Sequence, residues 1–430
     1  LKDHYMTTSF EKLGLIEPIR RALQNQQYET PTPIQAEAIP ALLAGNDLLG
    51  SAQTGTGKTA AFALPILQRL AGDRRPSKKR SPRALILTPT RELANQIGAS
   101  IKVYGRYLRV SHTVVYGGVS IVPQARALSR SVDILVATPG RLLDLMGQRL
   151  LFLDRLELFT LDEADRMLDM GFIHDVRKII AALPETRQTL FFSATMPKDA
   201  MRLADRLLRN PVKVQVDPVF STVRKVEQKV LFVERHNKEA LLLHLLEDET
   251  MNRALVFTRT KHKANNIARK LNRSQVQAEA IHGNKSQSAR MQALRNFSDG
   301  RARVLVATDV ASRGIDIKEV SHVINFEMPN EPESYIHRIG RTARAGAAGI
   351  AISFCDIDER AFLRDIEKLT RTALPVDEEH PYHSAQAAKA PREGLSNTRH
   401  PAGRQRKRGS FRARRHSFRP GRKTTARTSP

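Results

Sequence analysis

Between about residue 30 and residue 355, short apolar runs rich in β-branched residues alternate with stretches of helical periodicity. The runs fall at 84–87, 133–136, 158–161 and 190–192, then at 254–257, 304–306 and 322–324. Continuous apolar runs of this length suit strands buried on both faces. Their alternation with helical segments predicts parallel sheets covered by helices, an α/β fold. The pattern breaks at 210–228, where Asn210-Pro211 closes a helix and Asp217-Pro218 interrupts a polar stretch. The expected organisation is an N-terminal extension (1–9), an α/β domain (10–213), a linker (214–227), a second α/β domain (228–376) and a C-terminal tail (377–430). The basic stretch 74–83, with Pro76 and Pro82, reads as an exposed, solvated loop.

Composition supports two ordinary cores and narrows the partners. The chain has 430 residues, 41% of them hydrophobic, and a formal charge of +26, which favours a polyanion such as nucleic acid over a membrane. About half of that charge lies beyond residue 388, where fourteen Lys or Arg face the single acid Glu393. That segment is nearly free of aliphatics, cannot bury a core, and is expected to be disordered. Its Ser410-Phe411-Arg412 and Ser417-Phe418-Arg419 interleave rings with cations, a pattern for a nonspecific tether to single-stranded nucleic acid. The lone Cys355 forms no internal disulfide and fits a reducing, cytoplasmic setting. No apolar run approaches the ~18 residues of a membrane helix. Residues 1–5 carry no signal-peptide pattern, and Met6 is a candidate start.

Three constellations carry chemistry. Ala52-Gln53-Thr54-Gly55-Thr56-Gly57-Lys58-Thr59 is a phosphate-binding loop of the Walker A type, with Ala in the first glycine position, set between an apolar run and a helical segment. Small residues let backbone N–H groups turn onto phosphates, Lys58 reaches the terminal phosphates and Thr59 holds Mg²⁺. Asp162-Glu163-Ala164-Asp165 follows the run at 158–161, where a strand-end carboxylate can meet Mg²⁺ and a neighbour can orient water. His337-Arg338-Ile339-Gly340-Arg341-Thr342-Ala343-Arg344 spaces three arginines by three, so that their guanidinium groups share a face. His282 has no second ligand at metal spacing, and His380 with His383 is not read as a metal site.

With these motifs in this order, the chain resembles a DEAD-box ATP-dependent RNA helicase from about Phe10 to residue 376. It is nearest the bacterial RhlE type through Arg166-Met167-Leu168-Asp169-Met170-Gly171-Phe172 and Phe257-Thr258-Arg259-Thr260-Lys261-His262. The resemblance implies two tandem RecA-like domains. It gives Tyr28 and Gln35 to the adenine, with Phe10 supporting them, and Asp316 to the ribose; Gln27 replaces the usual glycine before Tyr28. Lys58, Asp162, Glu163, Arg341 and Arg344 become the catalytic set, with Thr59 and Asp162 toward Mg²⁺. Pro89, Thr90, Arg91, Gly117, Gly118, Thr138, Pro139, Gly140, Arg141, Arg290 and Thr308 match RNA-backbone contacts, alongside Gln287. Ser193, Thr195 and His337 match residues that couple the domains.

The implied activity is RNA-stimulated ATP hydrolysis with local unwinding of short duplexes, or remodelling of ribonucleoprotein. The partner is RNA, single-stranded or short duplex, contacted without sequence specificity, by a monomer and without a membrane. Ribosomal precursors and RNA decay are both compatible settings. An RNA clamp and a DNA-directed ATPase are the competing classes.

Overall fold

The computed structural model describes residues 9–52, 56–73, 78–215, 226–309, 320–343 and 349–389. Two parallel sheets, each clothed by helices, form the two α/β domains expected from the apolar runs. The first contains β1 (Leu48–Ser51), β2 (Ala84–Leu87), β3 (His112–Val115), β4 (Ile134–Ala137), β5 (Leu158–Leu161), β6 (Gln188–Ser193) and β7 (Val212–Gln215). Their order across the sheet is β3-β4-β2-β5-β6-β1-β7. The second contains β8 (Val226–Phe232), β9 (Ala254–Thr258), β10 (Ala278–Ile281), β11 (Val304–Thr308), β12 (His322–Asn325) and β13 (Gly349–Cys355), ordered β10-β11-β9-β12-β13-β8.

Side-chain alternation explains the continuous apolar runs. In β2, Ala84 and Ile86 join the core on one face of the sheet, while Leu85 and Leu87 join the core on the other. Both faces exclude water, so no polar position interrupts the strand. Every strand pair of the first sheet is parallel, so all strands deliver their following loops to one edge. The phosphate loop leaves that edge from β1 and the acidic tetrapeptide from β5, with β6 between them. At about 4.8 Å per strand, the two loops start about 10 Å apart.

Three expected boundaries move. β7 runs to Gln215 and pairs with β1, and β8 starts at Val226, so both ends of the stretch read as linker are strand. Residues 216–225 lie outside the described residues. The segment read as the start of the tail packs on the second domain through residue 389. Val376 bridges Val230, His383 bridges Val233, and the helix Ala385–Lys389 buries Ala387 in the core. Its polar surface hid a strap held by backbone hydrogen bonds, with Lys229 paired to Asp377 at 3.0 Å. The rest of the tail, 390–430, lies outside the described residues. In the basic loop, Ser81 and Arg83 are buried, and Arg83 pairs with Asp73 at 2.8 Å and with Glu157 at 2.7 Å.

A buried charge cluster holds the second domain together near the helix that carries His337. Lys238 pairs with Asp356 at 3.0 Å and also with Glu359, whose other oxygen takes Arg259 at 2.5 Å and the Met328 N–H at 3.2 Å. Burial raises the Glu359 carboxyl above its usual range, against the pull of Lys238. Next to it, Cys355 is fully buried and its thiol is pushed up to about 12, first by burial and then by Glu359. Removing one partner of such a cluster leaves an uncompensated buried charge, which costs about 3–5 kcal/mol. Lys238→Met is expected to lower the second domain's unfolding free energy by that amount in urea. Cys355 is expected to resist a thiol reagent in the folded wild type and to label faster in that variant.

Candidate active site and nucleic-acid interface

Lys58 opens the helix Lys58–Gly72, directly after Gly57. Gly57 has φ +91°, and an added Cβ would lie 2.4 Å from the Gln35 amide nitrogen, so both conformation and space demand glycine. Lys58 and Asp162 are both buried, and their Nζ and Oδ1 atoms stand 3.9 Å apart. Among the described residues, neither of these two atoms has a hydrogen-bond partner. Buried charged atoms normally complete their shell. Here a cation and a carboxylate at the mouth of a phosphate loop leave those bonds for phosphate oxygens and a hard cation. Thr59 beside them is partly exposed and adds a hydroxyl oxygen. The donor set therefore fits Mg²⁺ arriving with a nucleotide. The Asp162 carboxyl is pushed up to about 6, mainly by burial and further by Glu163 and Asp165, while Lys58 pulls it down.

Glu163 adopts φ 55° and ψ 52°, a left-handed conformation costly for a side-chain-bearing residue, at the start of the helix Ala164–Asp169. The turn aims its carboxylate back along that helix, where Arg166 Nη1 donates to Oε2 at 2.5 Å. Asp165 is tied to β6: its N–H donates to Ser193 Oγ at 3.2 Å, and its Oδ2 accepts from Thr195 N–H at 2.8 Å and Thr195 Oγ1 at 2.9 Å. The Ser193 carbonyl in turn accepts from Ala52 N–H at 3.0 Å. Thus β6 links the loop after β1 to the loop after β5.

The second domain presents His337 and Arg341 to this edge. The His337 ring is pushed down to about 4, first by burial, then by the positive fields of Arg166 and Arg341; Asp165 and Glu163 oppose the shift. Arg341 is buried. Arg338, the first of the motif's three arginines, has a framework role. Its guanidinium donates to Asp309 at 2.6 and 2.7 Å, to Asn325 Oδ1 at 3.1 Å and to the Glu327 carbonyl at 2.8 Å. Arg344, Asp316, Gln53, Thr54 and Gly55 lie outside the described residues.

At the base end, Tyr28 is 41% exposed and stacks on Phe10 with centroids 6.5 Å apart. Gln27 takes φ 57°, keeping the left-handed backbone that glycine would adopt more cheaply. Gln35 is buried: its Nε2 donates to the Gly57 carbonyl at 3.1 Å and its Oε1 accepts from Thr32 N–H at 3.0 Å. The residue read as the adenine sensor therefore also links its helix to the phosphate loop.

The sequence-matched RNA residues collect where β2, β3 and β4 end. Thr90 caps the helix Arg91–Tyr104, and Arg91 lies so close to Gly118 that an added Cβ would stand 2.0 Å from Nη1. Gly118 also has φ +77°. Pro139 and Gly140 open the helix Pro139–Gly147 after Thr138, and Arg141 Nη2 donates to the Val119 carbonyl at 2.8 Å. Two further Arg141 nitrogens are buried without a hydrogen-bond partner among the described residues, though Nε lies 3.7 Å from Asp144 Oδ2. Thr308 ends β11 in the other domain. Pro89 and Gly117 fall within these same turns.

Glu92, next to the RNA-matched Arg91, is not singled out by the sequence. Glu92 is buried, and its Oε1 accepts from Gln287 Nε2 at 3.0 Å and lies 3.0 Å from Arg290 Nε. Arg290, read as an RNA contact, thus also joins the two domains. Its acidic partner between basic and polar neighbours was the available signal.

Residues 32–203 match the family described as DEAD/DEAH box helicase, and residues 237–346 match the helicase conserved C-terminal domain. The chain is 45% identical over 367 residues to the DEAD-box ATP-dependent RNA helicase CshA of Bacillus cereus, covering 85% of this chain and 69% of that protein. The solved structure of S. cerevisiae Dbp5 bound to RNA and ADP BeF3 matches at TM-score 0.76 and 30% identity, over 86% of this chain and 95% of that one. Mss116p bound to ssRNA and AMP-PNP matches at TM-score 0.78 and 27% identity, over 89% and 81% respectively. With both sheets RecA-like and both family regions in order, the chain belongs to the DEAD-box ATP-dependent RNA helicases.

Proposed function

We propose that this helicase hydrolyses ATP in an RNA-stimulated manner and opens short RNA duplexes locally, with the residue roles expected from the motifs. The observation that carries the reading is the pair of buried, hydrogen-bond-deficient atoms Lys58 Nζ and Asp162 Oδ1 beside a braced Glu163. In this reading Lys58 and the loop from Ala52 to Thr59 grip the phosphates, and Tyr28 covers the base. Thr59 and Asp162 hold Mg²⁺, which when bound withdraws charge from the phosphate oxygens. Glu163 orients the attacking water and accepts its proton. Arg341 and Arg344 stabilise charge on the transferred group from the second domain, a contribution of about 10³–10⁵ in related reactions. RNA held jointly by both domains favours the arrangement in which His337 lies within the field of Asp165, so RNA and ATP promote one another's binding.

The RNA is bound through its backbone, without sequence preference, because glycine turns and arginines address phosphates rather than base edges. The RhlE-type subfamily, a monomeric cytoplasmic state, and work on ribosomal precursors or in RNA turnover complete the proposal. Residues 390–430 act as a cationic RNA tether.

Three measurements test it. Glu163→Gln should lower the ATPase rate about 10²–10⁴-fold and slow displacement of a short RNA duplex. Preference for a DNA duplex would sink the RNA assignment, and stable RNA retention without displacement would favour a clamp. Glu92→Ala should raise the RNA concentration for half-maximal ATPase stimulation roughly tenfold, the scale of one charged hydrogen-bond pair, with nucleotide affinity unchanged in the absence of RNA. Deleting 390–430 should weaken RNA binding and flatten its salt dependence by about 0.7 per lost phosphate contact.

A further inference from the structure

The edge of the first sheet opposite the nucleotide and RNA motifs carries a second cationic surface. Residues 78–83 are pinned there: Lys78 bridges Ser81, Lys79 bridges Ser131, and Arg80 N–H donates to the Leu128 carbonyl at 3.1 Å. The Arg80 carbonyl accepts from Phe152 N–H at 2.8 Å. This places Lys78, Lys79 and Arg80 beside Arg130 and beside Phe152, which Arg149 and Arg155 flank at three residues on either side. All six cations are exposed, and Phe152 is 45% exposed.

None of the six cations is ion-paired among the described residues. The neighbouring carboxylates are hydrogen-bonded or paired to other groups, with exposed Asp154 lying on the same surface. Asp154 accepts from Ser81 Oγ at 2.9 Å, Asp133 from Ser111 Oγ at 2.7 Å, and Asp73 and Glu157 hold Arg83. Arg80 and Arg149 also keep φ values of 62° and 55°, where glycine or asparagine would be less strained. Six unpaired cations against the single exposed carboxylate of Asp154, gathered around an exposed ring, form a platform for single-stranded nucleic acid: cations for phosphates, the ring for a base. The surface precedes β2, β4 and β5, whereas the core RNA motifs follow β2 and β4. A four-residue strand separates the two edges by about 13 Å.

We infer that this Phe152-centred surface is a second RNA-binding site, which takes a single-stranded segment continuing beyond the core. The inference rests on the reading of the core as an RNA site. The test uses the full chain with a nonhydrolysable ATP analogue and unstructured RNAs of about 10 and about 40 nucleotides, the shorter filling one site of ordinary size. Combining Lys78→Ala, Lys79→Ala, Arg130→Ala and Arg155→Ala should weaken binding of the long RNA about tenfold and flatten its salt slope by about 2–3. Short-RNA affinity and short-RNA-stimulated ATPase should stay within about twofold, which also reports an intact fold. Phe152→Ala should weaken the long RNA about fivefold while leaving the salt slope unchanged, the mark of stacking. Equal weakening of both RNAs, or no change in long-RNA binding, overturns the inference. Failure of short RNA to stimulate the wild-type ATPase would instead overturn the core reading.

Discussion

Asp165 and β6 together set the geometry on which the rest of the site depends. A parallel sheet delivers its loops to one edge but leaves each loop free to lean in several directions. The bonds from Asp165 to Ser193 and Thr195, and from Ala52 to Ser193, remove that freedom by tying the loops after β1 and β5 to the strand between them. The cross-tie keeps Lys58 and Asp162 facing each other within a buried space, at 3.9 Å rather than in close contact. That spacing leaves both atoms short of partners, and a phosphate group with its metal can complete the shell of each. The strained Glu163 backbone is tolerated because the neighbouring Arg166 and Asp165 interactions hold both sides of it.

The same edge receives the second domain at two places. His337 approaches the acidic loop, and Gln287 with Arg290 reaches Glu92 beside the RNA-matched turns. Both contacts are polar, as suits an arrangement that ligands must form and release. Arg338 and the Lys238–Glu359 cluster serve that interface indirectly, by fixing the ends of β9, β11 and β12 from which the His337 helix is presented. Gln35 is a comparable link on the other side: whatever it does toward a base, it transmits to Gly57 through a hydrogen bond.

How much was legible follows from burial. Strands β2, β4, β5, β9, β11 and β12 lie inside their sheets, lose water on both faces and show continuous apolar runs. The outer strands β3, β7 and β10 did not stand out, because His112-Thr113-Val114-Val115, Val212-Lys213-Val214-Gln215 and Ala278-Glu279-Ala280-Ile281 keep partly solvated positions. The strap through residue 389 was hidden for a related reason, since backbone bridges rather than a run of aliphatics hold it. Basic residues 78–83 read as solvated, and only their docking against Ser131 and Phe152 gathers the charge into one surface.

The sequence by itself determined the fold class and the family, and it named the candidate chemical groups. Those depend on residue types at short spacings, and short spacings are what strand runs, glycine turns and loop motifs record. Tertiary structure alone decided which of those groups meet. Glu92 and Gln287 are separated by 195 positions, and the hydrogen bond between them leaves no local periodicity to read. The same holds for Asp165 with Thr195 and for Arg338 with Asp309, whose pairing depends on strand order, not on proximity along the chain.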